Sequence, residues 1–94
     1  MNKLMPDEYL LEGQWHYDGQ KVTADDVCKR IEWLISEALE VLGSDELGWE
    51  KLYRDSNDNR LWLLYYPQDE IHGGGPPSLK LITESESKRK FNVQ

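Results

Sequence analysis

One cysteine and two histidines, Cys28, His16 and His72, are the obvious candidates for attacking a substrate or moving a proton. Nucleophilic catalysis needs a nucleophile, a base within hydrogen-bond reach and a third group that orients the base. Cys28 falls on the first turns of a predicted helix, where the helix N-terminus favours the thiolate. Asp25 and Asp26 beside it oppose that effect. Neither histidine lies in a recognisable motif, so Cys28 reads more naturally as a small, half-buried hydrophobe. A small cytoplasmic hydrolase built on Cys28 and His72 is the enzymatic alternative, and no catalytic residue is assigned.

Other groupings point away from chemistry. Asp69, Glu70 and His72 are close in sequence, but no Cys-x-x-Cys or His-x-x-x-His spacing accompanies them, and no metal or other cofactor is expected. Gly73, Gly74 and Gly75 invite comparison with a phosphate-cradling loop. Such loops aim backbone N–H groups at the anion, whereas Pro76 and Pro77 follow here and have none. These five residues are expected to shape the loop. Abundant acids make any one pair of carboxylates uninformative as a hydrolytic couple.

Charge narrows the partners. The 94 residues carry a net charge of −7 with a pI near 4.7. Between Asp7 and Glu70 sixteen acidic side chains face six basic ones, a net of −10, whereas the stretch from Leu79 onward carries +2. An acidic body repels nucleic acid and anionic membrane and attracts basic proteins, although the same surplus also serves plain solubility. Four Trp and five Tyr are better explained by a small core filled with rings than by a base-stacking platform. The length fits a single domain over residues 1–94. Cys28 alone cannot form an intrachain disulfide, which suits a reducing cytoplasm, and no run of about 18 apolar residues offers a membrane span.

The elements that must position these groups follow from pattern. Trp15–Tyr17 and Lys21–Thr23 flank Asp18-Gly19-Gln20, a hairpin signature; Tyr9–Leu11 either extends the first strand or forms a short turn. Thr23 is expected to cap a helix running to about Leu42 and stopped by Gly43. Val27, Ile31, Leu34, Ile35, Ala38, Val41 and Leu42 would form its core-facing stripe. Trp33 lies off that stripe, either covered by the N-terminal segment or exposed for a partner. Strands are predicted at Trp49–Arg54, Arg60–Tyr66 and Leu79–Ile82, with an Asx-rich turn at Asp55–Asn59. The second of these strands is apolar on both faces and should be central. Thr83 and Glu86 form a capping box for a short helix to about Phe91. The expected fold is α+β: an antiparallel sheet of about four to five strands, one long helix on one face and a short C-terminal helix.

Several stretches in order resemble the immunity protein 27 family of small bacterial immunity proteins. They are Gly13-Gln14-Trp15, Cys28 to Leu34, Gly48 to Asp55, Asp58 to Trp62, Tyr66-Pro67 and, most specific, His72 to Leu79. Asp58-Asn59 stands where Asp-Gly was expected, and Asn also tolerates the left-handed conformation. The resemblance implies an antidote of contact-dependent inhibition or a related polymorphic toxin system. Such a protein binds a toxin domain and needs no catalytic group. Together with the charge, it suggests a toxin-binding patch of Asp55, Asp58, Asp69, Glu70 and His72, with Trp33 as an outlying anchor. A general interaction adaptor is the remaining alternative.

Overall fold

A computed structural model describes residues 2–17, 19–45, 48–67 and 75–91. The strands are β1 (Leu10–Glu12), β2 (Trp15–Tyr17), β3 (Val22–Ala24), β4 (Leu39–Ser44), β5 (Lys51–Asp55), β6 (Leu61–Tyr65) and β7 (Ser78–Ile82). Helix α1 (Asp26–Trp33) continues into a π-helical turn over Leu34–Ala38, and α2 spans Glu84–Phe91.

Five strands form one antiparallel sheet in the order β1-β7-β6-β5-β4, so β6 is central as its apolar run demands. Its alternation feeds two cores. Trp62 and Leu64 face α1 and pack in a cluster with Ile31, Leu34, Tyr53 and Leu79. Leu63 faces the other way and packs with Leu52, Ile82 and the half-buried Phe91 of α2. The α+β expectation therefore holds, with five strands, the longer helix on one face and a short helix on the other.

Four local features differ from the sequence reading. Asp25, not Thr23, caps α1: its carboxylate accepts from Cys28 N at 2.8 Å, while Thr23 belongs to β3. The helix ends at Ala38 rather than Leu42, and Leu39–Ser44 becomes the edge strand of the sheet. Leu-Glu-Val-Leu satisfies either period, and pairing with β5 decides the case. Gly43 is therefore no helix stop; it adjoins a register shift between Val41 and Gly43. β5 begins at Lys51, leaving Trp49 outside it, and the hairpin forms a separate two-stranded sheet while β1 joins β7.

The capping box on α2 forms as expected: Glu86 N donates to Thr83 Oγ1 at 3.1 Å and Thr83 N to Glu86 Oε1 at 3.4 Å. Asn59 adopts φ 62°, the left-handed conformation its side chain tolerates.

The segment before β1 is strapped down by two arginines. Arg30 donates to both carboxylate oxygens of Glu8 (2.6 and 2.7 Å) and to the carbonyls of Asn2 and Lys3. Arg60 donates to the carbonyls of Met5 and Glu8, each at 2.9 Å. The strap delivers Leu4 into the core beneath α1.

Candidate protein-binding surface

β6 determines where the sequence-singled residues lie. The Asp55–Asn59 turn leads into one end of it, and the chain leading to Gly75–Pro77 leaves from the other. Five residues at about 3.3 Å each separate those ends by roughly 16 Å. The strand thus keeps the turn apart from the described ends of the glycine–proline loop. Asp69, Glu70, His72, Gly73 and Gly74 lie outside the described residues.

The turn uses its acids internally. Asp55 is only 5% exposed, and its carboxylate accepts from Asn57 N at 2.9 Å, closing an Asx turn. Asp58 accepts from the backbone N–H (3.0 Å) and Nε (2.6 Å) of Arg60. Partial burial pushes its carboxyl pKa up, but these hydrogen bonds and the Arg60 charge outweigh that and hold it below its ordinary value. The same guanidinium lies 5.1 Å from the Trp62 ring centroid and clasps the N-terminal strap. Asp58 therefore helps orient a structural arginine.

The described part of the loop is also scaffold. Gly75 and Pro76 are buried, and Gly75 has φ 75°, a conformation costly for other L-residues. Pro77 O accepts from Gly13 N at 2.9 Å. A Cβ on Gly13 would meet Pro77 O at 2.5 Å and Cys28 Sγ at 2.6 Å, so glycine alone fits this crossing. Trp33 is half-buried and packs against the cluster that holds Leu4, Ile31 and Leu34, which favours the covered alternative.

Cys28 is placed as a packing residue. It is 1% exposed, and its thiol donates to Gln14 O at 3.4 Å. Burial, aided by the Asp25 carboxylate, pushes the thiol pKa up, opposite to what a nucleophile needs. Among the described residues no group of three or more His, Cys, Asp or Glu side chains is placed to hold a metal ion. No helix among them is long and apolar enough to cross a membrane.

The structure instead displays aromatic groups that the sequence reading assigned to the core. The β2–β3 register pairs Tyr17 with Val22 and Trp15 with Ala24, which sets these four on one side of the hairpin. Tyr17 is 71%, Val22 55% and Trp15 38% exposed. The sequence reading counted these two strands in the main sheet beneath the long helix, so nothing in it marked Trp15 and Tyr17 as uncovered; the separate two-stranded sheet is what exposes them. At the end of the sheet where β6 finishes, exposed Trp49 meets Tyr66 edge-on, with ring centroids 5.8 Å apart.

The family model for immunity protein 27 matches residues 17–83. The chain belongs to the immunity protein 27 family. No curated protein and no solved structure matches it. The matched span of this immunity protein contains β3, α1 and four of the five strands of the main sheet. The strap, β1 and α2 fall outside it, although Leu4 and Leu11 belong to the core. Membership gives the chain a toxin as its partner in general terms.

Proposed function

We propose that this immunity protein neutralises a cognate toxin domain by forming a tight one-to-one complex in the cytoplasm, without catalysing a reaction. The toxin is a basic protein, of the nuclease kind. The observation that carries the reading is the acid surplus, a net −7 on 94 residues, in a chain of this family. Arg30, Arg54, Arg60, Lys88 and Lys90 are each paired with an acid of the same chain, which consumes equal numbers of both signs and leaves the surplus of −7 intact. Exposed Asp7, Glu12, Asp26, Glu32 and Glu37 add to a negative field that speeds encounter with a cationic partner. Asp69, Glu70 and His72 remain proposed contacts on sequence grounds; Asp55 and Asp58 contribute mainly through the field and the turn they brace.

Co-expression with the C-terminal toxin domain encoded beside this chain's gene tests the proposal. The two proteins should co-purify in equal amounts, and cells carrying both should survive. Free toxin and unprotected cells would refute it.

A further inference from the structure

We propose that the apolar face of the β2–β3 hairpin, formed by Trp15, Tyr17 and Val22, is the anchor on which the basic toxin domain docks. The inference rests on the function proposed above and says where that partner binds. Three observations carry it. The register puts the three side chains on one side of a two-stranded sheet, where all are exposed. Aromatic side chains of this kind remove about 150–250 Å² each from water when covered, and they dominate the energetics of interfaces.

The second observation is rigidity at the base. Gln14 O accepts from both Asp25 N (3.0 Å) and Cys28 Sγ (3.4 Å), and Gly13 N donates to Pro77 O. Farther out, the Tyr17 hydroxyl donates to Gly19 O at 3.1 Å across the turn. The base of the hairpin is therefore fixed to the body before any partner arrives, which lowers the ordering cost of association.

The third is charge, which selects the occupant. Asp25, which caps α1, and exposed Asp26 directly follow β3, with Lys29 one turn further along α1. Two copies meeting through this face would bring together two bodies of −7 each. A basic partner meets the same acidic body with attraction.

The test measures the Kd of the adjacent gene's toxin domain, in catalytically inactive form, for the wild-type chain and for the double variant Trp15→Ser/Tyr17→Ser. The Tyr9→Ser variant, at the far end of β1, is the control because Tyr9 is 69% exposed. The double variant, which also loses the Tyr17–Gly19 bond, should still fold cooperatively and bind at least tenfold more weakly, equivalent to about 1.4 kcal/mol, while Tyr9→Ser binds as wild type. Hydrogen exchange on the wild-type complex gives a second reading that needs no variant: amides of residues 15–24 should gain protection on binding. A folded double variant that binds within twofold of wild type, or unchanged exchange at residues 15–24, overturns the hairpin assignment and leaves the toxin-binding function standing. A wild-type chain that does not bind the toxin domain overturns both. A concentration-dependent dimer of the free chain that the double variant abolishes would assign the face to a second copy and overturn the inference.

Discussion

The N-terminal strap and the β2–β3 hairpin both lie beside the five-stranded sheet, yet they are held in opposite ways. The strap is fastened along its length by Arg30 and Arg60 and turns an apolar side chain, Leu4, into the core. The hairpin is fastened to the body at its base, through Gly13 and Gln14, and turns Trp15, Tyr17 and Val22 outward. The strap thus buries one side chain, Leu4, while leaving Met5 and Tyr9 in water as isolated apolar groups; the hairpin instead groups Trp15, Tyr17 and Val22 on one exposed face. Scattered apolar exposure is ordinary, whereas a contiguous aromatic face on a fixed base is suited to recognition.

The sharpest way to break this contrast is Leu4→Ala. Leu4 is 4% exposed within the main cluster, so truncation should destabilise the fold by about 2–5 kcal/mol. Chemical denaturation checks this; a loss under about 0.5 kcal/mol would mean that the strap is decoration. Gly13→Ala should cost about 1–3 kcal/mol, because the new methyl collides with backbone and sulfur that have little room to move. The effect should appear both in the melting temperature and as faster hydrogen exchange at Trp15–Tyr17. Normal exchange there would show that the hairpin base is not the fastening point.

Glu8→Gln gives the smallest effect and a pH signature. The hydrogen bond from Arg30 holds the Glu8 carboxyl below its ordinary value, against the opposing pull of partial burial. A carboxyl with a depressed folded pKa stabilises the fold fully above its unfolded value, ordinarily near 4.5, and loses that contribution as pH falls through the lower folded value. Wild type should therefore exceed the variant by about 1 kcal/mol at pH 7, and the gap should close as the solution is acidified below about pH 4. A gap that stays constant with pH would remove the ion pair from the account.

Much of the scaffold could be read from residues alone. The central position of β6 followed from Trp62-Leu63-Leu64, apolar on both faces, and the α2 cap from Thr83 and Glu86. The end of α1 was not legible, because Leu39–Leu42 fits helical and strand periods alike and only β5 resolves the choice. The strap was invisible for a related reason: Arg30 and Arg60 reach carbonyls more than 25 and more than 50 positions away, and no local pattern records such pairing. The candidate surface was the least legible part. Asp55 and Asp58 look like exposed turn acids until Asn57 N and Arg60 are seen to occupy them. Trp15 and Tyr17 look like core until the hairpin proves to have its own sheet.

The central claim is that this immunity protein works by complementary charge and an aromatic anchor. Stopped-flow association with the inactive toxin domain over a range of salt concentrations tests it most directly. The account predicts a saturable one-to-one complex with a Kd of about 1 nM or tighter, whose association rate falls steeply as salt rises while dissociation changes little. An association rate indifferent to salt, or no saturable complex at all, would contradict it.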